Sequence, residues 1–315
     1  MKVLVTGAAG FVGSQVAEAL VARGDEVVGL DAFTDYYDVA TKQANARAVE
    51  EAGAEVLELD LRTADLEPLL DGVDTVFHQA AQPGVRASWD ARFADYATHN
   101  VLGTQRLLEA ARHAGVRRFV NASSSSIYGN ALAYPTVEDT TPAPFSPYGV
   151  TKLAAEHLCR AYAQNFGFGT VSLRYFTVYG PRQRPDMGIY RLIDAALGGP
   201  AFPLFGDGTQ IREFTFVDDV VRANLLAADA AVAPGEVFNI SGGSEIALRD
   251  LIDLVGKIAG RDVAIDQRPV EPGDIGRNGG STDAARARLG WTPTVALPDG
   301  IERQVAWQRA AKQSA

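Results

Sequence analysis

Apolar positions along the first third of the chain follow two periods. Short runs rich in Val, Leu and Phe at residues 2–6, 26–30, 55–58, 75–78 and 118–122 alternate with longer segments, near 12–23, 42–52 and 100–114, in which apolar side chains recur at helical spacing. In the last of these, Leu107, Leu108 and Ala111 share a face. Nearly continuous apolar strands separated by amphipathic helices mark a parallel sheet covered on both faces. A helix over 149–166 and a strand over 170–174 extend the pattern. The spacing predicts an α/β fold with a doubly wound parallel sheet of the Rossmann type over residues 1–174.

After about Tyr175 the texture changes. Gly180-Pro181, Gly198-Gly199-Pro200, Gly206-Asp207-Gly208 and Glu271-Pro272-Gly273 punctuate short elements. They predict a smaller mixed α/β domain over 175–315 that caps the site, with part of 216–241 returning to the sheet domain. No internal repeat or low-complexity tract suggests a solenoid or scaffold.

Composition narrows the classes of function. The chain has 315 residues, 47% of them hydrophobic, enough for one large or two modest domains. A formal net charge of -10 disfavours nucleic acid or an anionic membrane as partner, though a few local arginines can still hold a small anion. Cys159 is the single cysteine, and the start of the chain lacks a basic stretch followed by an apolar one, so a cytoplasmic protein is expected. No apolar run approaches the length of about 18 residues that a membrane helix needs. His78, His99, His113 and His157 are scattered and have no cysteine partners, so no metal site is expected.

Two constellations carry chemistry. The first strand runs into Gly7-Ala8-Ala9-Gly10-Phe11-Val12-Gly13 and then into a helix, the setting of a pyrophosphate-binding turn. Gly7 would make the turn, Gly10 with Phe11 and Val12 would present backbone amides, and Gly13 would let helix and strand pack closely. Asp31, closing the second strand, would accept hydrogen bonds from a ribose and repel a 2′-phosphate, which favours NAD over NADP. Asp60 and Leu61 would meet the adenine edge, and Ala80 and Ala81 would lie along the cofactor.

The second constellation is Tyr148-Gly149-Val150-Thr151-Lys152, which puts a phenol and an ammonium on one face at a helix start. A phenol, with an ordinary pKa of about 10, needs help to act as a base. The neighbouring Lys⁺ and a positive nicotinamide ring are expected to depress it. Upstream, Ser123-Ser124-Ser125-Ser126 ends a strand beside the expected nicotinamide position, where one of the four hydroxyls could bind the reacting oxygen.

Taken together, Thr6-Gly7 with the glycine triplet, Ser124, Tyr148 and Lys152 resemble the extended short-chain dehydrogenases over nearly the whole chain. The resemblance implies that Ser124 relays a proton, that Asn100 supports the active site and that Tyr175 lies beside the cofactor. It also implies a homodimer joined through the helices over 100–114 and 149–166. Dehydratases of this family follow the relay residue with Asp-Glu, and the decarboxylase branch carries a Glu two residues on; Ser125 and Ser126 stand there instead, so simple epimerisation is expected.

Phe176-Thr177-Val178 with Arg184-Pro185-Asp186-Met187 is similar to UDP-glucuronate 4-epimerases, where UDP-galactose 4-epimerases usually show Phe-Asn-Pro. That likeness implies a UDP-sugar substrate epimerised at C4 through a transient ketone. It implies Ser125, Ser126 and Thr177 at the sugar, and Arg184 with Thr177 as a clamp for the C6 carboxylate, with Arg86 as the alternative. Arg212 would contact the diphosphate, and Asp274 would mark a last nucleotide contact, though Glu271 stands where the family often has Arg or Gln. A UDP-glucose/UDP-galactose 4-epimerase, a net oxidoreductase and a non-catalytic NAD sensor or scaffold remain as alternatives.

Overall fold

A computed structural model describes residues 1–89, 92–269 and 276–313. Six strands come from the first part of the chain: β1 (Lys2–Thr6), β2 (Glu26–Asp31), β3 (Glu55–Glu58), β4 (Thr75–His78), β5 (Arg118–Ser124) and β6 (Thr170–Tyr175). Helices α1 (Phe11–Arg23), α2 (Val39–Ala52), a short α3 (Phe93–Tyr96), α4 (Gly103–His113) and α5 (Pro147–Phe166) connect them. The chain then leaves the sheet through β7 (Val178–Tyr179), α6 (Gly188–Ala196), β8 (Phe202–Phe205), β9 (Ile211–Glu213), β10 (Thr215–Phe216) and α7 (Val217–Asp229). It returns with β11 (Glu236–Ile240) and ends in β12 (Glu245–Ala247), α8 (Leu248–Ala259), β13 (Ile265–Arg268), α9 (Asp283–Leu289) and α10 (Leu297–Gln313).

The central sheet has seven strands in the order β3-β2-β1-β4-β5-β6-β11, and every neighbouring pair is parallel. The doubly wound reading therefore holds, and residues 236–240 supply the seventh strand. Strand alternation splits the core between the two faces. Val3 and Val5 of β1 join the cluster built with α1 and α7, while Leu4 between them joins Leu107, Leu108 and Tyr162 under α4 and α5. Outside the sheet, β7 pairs with β10, β9 with β12 and β8 with β13, each a two-stranded unit.

Two boundaries differ from the sequence pattern for physical reasons. β5 runs on to Ser124 because Ser123 and Ser124 pair with Arg174 and Tyr175 of β6. The helix expected from residue 100 begins instead as a π-helical turn over Ala97–Leu102, a geometry that recurs at functional sites. Here the side chain of Asn100 is tied inward, to Gln82 and Thr151, and the wide turn accommodates it.

Candidate active site

The strand order reverses at β1 and β4, and a parallel sheet opens a crevice beyond the carboxyl ends of its strands at such a point. A cavity of about 730 Å³ lies there and runs from the glycine turn to the cap. Its floor at one end is main chain. Gly7 has φ +71°, and a Cβ on it would meet the Ala80 nitrogen at 2.8 Å. A Cβ on Gly13 would fall 2.0 Å from the Gly7 carbonyl oxygen, so the turn closes only without side chains at these positions. Gly10 caps α1 with no side-chain hydrogen bond and no acidic residue follows in the first turn, which leaves the helix start open to an anion. Phe11, Val12 and Gly13 line the cavity at that point.

Asp31 is buried at the end of β2, where Ala9 N–H and Phe33 N–H donate to its carboxylate and the Lys42 ammonium lies 3.5 Å away. Asp60, Leu61, Ala80 and Ala81 line the same half of the cavity. The glycine cradle, the open helix start and the fixed carboxylate of Asp31 fit a dinucleotide, with the pyrophosphate on the turn and a ribose at Asp31.

The other half is built on the start of α5. Ser146 caps the helix by accepting from Gly149 N–H, and Pro147 occupies its first turn, so Tyr148 is fixed at the positive end of the helix dipole. The Ser124 hydroxyl lies close enough to the phenol to favour its charged form. The same oxygen receives Ser126 N–H at 3.1 Å, and the Ser126 hydroxyl lies 3.1 Å from it. The Lys152 ammonium donates to the Ala122 carbonyl at 2.6 Å, tying the helix to the end of β5.

Electrostatics differ from the sequence expectation in one respect. Burial pushes the Tyr148 phenol above its ordinary range, and what opposes this is the nearby Ser124 hydroxyl and the charge of Arg184 rather than Lys152. Lys152 is itself driven down to about 8 by burial. The chain alone does not make a phenolate at neutral pH; another positive charge beside the ring is required.

Beneath these groups lies a fixed polar floor. His78 is fully buried between Thr6 Oγ1 at 2.8 Å and Thr104 Oγ1 at 2.9 Å. Thr104 spends its own hydrogen on the Asn100 carbonyl, so Nε2 of the imidazole carries the proton and Thr6 donates to Nδ1. Burial pushes the imidazole down to about 3, keeping it neutral.

Nearly all the residues singled out from the sequence meet in this one cavity: Gly7, Gly10, Phe11, Val12, Gly13, Asp31, Asp60, Leu61, Ala80, Ala81, Ser124, Tyr148, Lys152 and Tyr175, with Arg86, Ser125, Ser126, Thr177, Arg184 and Arg212 toward the cap. Tyr175 donates to Gln79 Oε1 and receives Asn224 Nδ2, which locks the end of β6 to that of β4. Asn100, expected as a support of the site, is not itself part of the cavity lining. It sits one layer behind the wall, bonded to both backbone groups of Gln82 and to Thr151 Oγ1, because the π-helical turn points it at the chain and away from the cavity. Arg184 lines the wall but is paired in bidentate fashion with Asp186, Nε to Oδ1 and Nη2 to Oδ2, both at 2.9 Å. Arg86 stacks over Phe205 at 4.2 Å. Asp274 and Glu271 lie outside the described residues.

Residues that sequence reasoning did not place here include Tyr36, Tyr37, Lys42, Arg62, Asp186 and Asn278. Tyr36, Tyr37 and Arg62 follow the carboxyl ends of β2 and β3, a position that the switch-point rule marks as facing the crevice. Nothing local marks Asn278, which arrives from the C-terminal part and donates toward Ser125 Oγ at 3.4 Å. Among the described residues there is no group of three or more His, Cys, Asp or Glu arranged to hold a metal, and no helix is long and apolar enough to cross a membrane.

Comparison with known proteins converges on the same reading. A solved structure of UDP-glucuronic acid 4-epimerase from Bacillus cereus, in complex with UDP-glucuronic acid and NAD, matches with a TM-score of 0.95 and 41% identity, covering 99% of this chain and 100% of that one. An uncharacterized UDP-glucose epimerase of Bacillus subtilis, YtcB, is 40% identical over 309 residues, 98% of either chain. The UDP-glucuronate 4-epimerase of Thermodesulfobacterium geofontis is 34% identical over 314 residues, 97% of this chain and 95% of its own. Residues 3–241 match the NAD dependent epimerase/dehydratase family, and the chain belongs to it.

Proposed function

We propose that this protein is a UDP-glucuronate 4-epimerase, interconverting UDP-glucuronate and UDP-galacturonate with NAD as resident cofactor. The observation that carries the reading is the meeting of Ser124, Tyr148 and Arg184 in one cavity that begins at the glycine turn. Residues 1–174 with β11 would hold the cofactor, and 175–315 would hold the UDP-sugar. Bound NAD supplies hydride acceptance and return at C4 of the sugar.

The chain's own groups divide the remaining work. Tyr148 takes the proton of the C4 hydroxyl and later returns it, with Ser124 binding that oxygen and passing the proton to the phenol. Lys152 holds α5 against β5 through Ala122 and keeps positive charge on the phenol's helix. Asp31 binds the adenosine ribose, Arg212 the diphosphate, and Ser125, Ser126 and Thr177 the sugar. Neither Ser125 nor Ser126 can act as a carboxylate, so the ketone is neither dehydrated nor driven to lose its C6 group. A 4-keto glucuronate is a β-keto acid, and it sheds CO₂ only when the C5–C6 bond aligns with the carbonyl π system. Arg184, anchoring the carboxylate, keeps that bond out of alignment.

The test is direct. Purified protein incubated with UDP-glucuronate is expected to form UDP-galacturonate with no net NADH, whereas UDP-xylose or a 4-keto pentose as main product would refute the assignment. One observation favours a second reading, a UDP-glucose/UDP-galactose 4-epimerase: Asp186 already satisfies one edge of Arg184 and offsets its charge. Arg184→Ala separates the two. Under the first reading it lowers kcat/KM for the acid sugar by about 10- to 100-fold more than for the neutral one, the worth of a charge-assisted hydrogen bond; under the second both fall alike.

Assembly and location complete the proposal: a cytoplasmic homodimer joined through α4 and α5, supported by the exposed apolar side chains Leu102, Val150 and Phe166 on or beside these helices. A monomeric mass by light scattering would remove that part alone.

A further inference from the structure

Arg184 reaches the cavity from a loop, on a side chain with many rotamers, yet selecting a C6 carboxylate demands a guanidinium held in one plane. The structure shows what holds it. Asp186, two residues on, takes Nε through one carboxylate oxygen and Nη2 through the other, both at 2.9 Å. Tyr36 stands against the same group, its ring centroid 5.8 Å from the guanidinium carbon and its hydroxyl 3.4 Å from Asp186 Oδ2. Among the described residues Nη1 has no hydrogen-bond partner, and the Arg184 charge is felt at the Tyr148 phenol.

We propose that Asp186 is a positioning residue for sugar specificity, fixing the plane of Arg184 by its bidentate pairing so that the unused N–H groups of the fork meet a C6 carboxylate. This rests on the acid-sugar reading above. An arginine has five N–H donors, and the pair with Asp186 uses one on Nε and one on Nη2. Asp186 therefore need not leave for the substrate to bind. It acts as the outer carboxylates of metal sites act on their histidines, orienting a group that touches the ligand without touching it itself. Its negative charge also lets the guanidinium sit in a largely closed wall beside a phenol without making that wall bind any anion indiscriminately.

The measurement is affinity, on the NAD-loaded protein, for UDP-glucuronate, UDP-glucose and UDP alone, by calorimetry. Asp186→Ala is expected to weaken UDP-glucuronate at least about tenfold relative to UDP-glucose, with UDP alone reporting that the nucleotide site is intact. Asp186→Asn, which keeps one acceptor oxygen, is expected to fall between wild type and Ala. Equal weakening of both sugars would make Asp186 merely structural and overturn the proposal. Tighter binding of the acid sugar would overturn it too, since Asp186 would then be competing with the substrate for Arg184. If wild-type protein shows no preference for UDP-glucuronate over UDP-glucose, the acid-sugar reading fails first; a preference unaffected by either substitution leaves that reading standing and removes this one.

Discussion

The two ends of the cavity are built from different material. At the glycine turn the wall is backbone: Gly7 and Gly13 leave no room for a Cβ, and the donors on offer belong to the start of α1. At the cap end the wall is long side chains, Arg184, Arg86, Arg212 and Asn278, brought in from loops and short strands and steadied by partners such as Asp186 and Phe205. A main-chain cradle recognises one shape and admits almost no variation. A wall of braced side chains can be retuned by changing one brace, so under the proposed function the cofactor end would fix what chemistry is possible and the cap end would decide on which sugar.

The largest expected effect lies where the ends meet. Tyr148→Phe should lower kcat by about 10²- to 10⁴-fold, some 3–5 kcal/mol of barrier, with NAD content and UDP affinity retained. A variant within threefold of wild type in kcat would mean that both ends serve a different centre.

Next is the support under the sugar end. Arg174 and Glu156 form a buried pair at 2.6 Å, with Glu156 also receiving the Ser123 hydroxyl and Arg174 reaching Tyr128 and the Glu138 carbonyl. Removing one partner strands a buried charge, so Arg174→Met is expected to cost about 3–5 kcal/mol of stability in urea unfolding. Exchange of both partners for apolar residues of similar size should recover most of it, and a double variant as weak as the single one would contradict that account.

The cofactor end is broken more gently. Gly13→Ala must displace the Gly7 carbonyl, an overpacking expected to cost about 1–3 kcal/mol, and the purified protein should carry less NAD on nucleotide extraction. Full NAD occupancy with an unchanged melting temperature would show the turn to be more yielding than drawn.

The mildest perturbation is a change of pH. His78 has a folded pKa of about 3 against an ordinary 6.5, so between these values the unfolded chain takes up a proton that the folded chain refuses. Its contribution is intact above about 6.5 and is lost as pH falls, at up to about 1.4 kcal/mol per unit. Urea midpoints near neutrality and near pH 5 measure it, and His78→Gln should flatten the difference.

Legibility followed the same division. The strand-turn-helix at Gly7–Gly13, Asp31 at a strand end and the pairing of Tyr148 with Lys152 are local patterns, and the chain displays them without folding. The direction of Tyr148's acidity was not legible. The pattern names Lys152 and a nicotinamide ring as the charges that lower it; among the chain's own groups it is Ser124 and Arg184, not the lysine, that oppose the upward push of burial. Asn100 was recognised as a support but not as one behind the wall, because the π-helical turn that aims it has no sequence period of its own. The pair of Arg184 with Asp186 is only two residues long in sequence, yet nothing in that spacing says that the pair faces the phenol.

What the sequence determined by itself was the sheet, the glycine cradle and the helix that carries the phenol, since each depends on periodicity and on residues that leave the backbone no alternative. Tertiary structure alone decided which side chains line the far end of the cavity and how strongly each is charged there. Those properties come from burial and from partners distant in the chain, and desolvation energies of several kcal/mol arise only once the cap and the sheet have closed on one another.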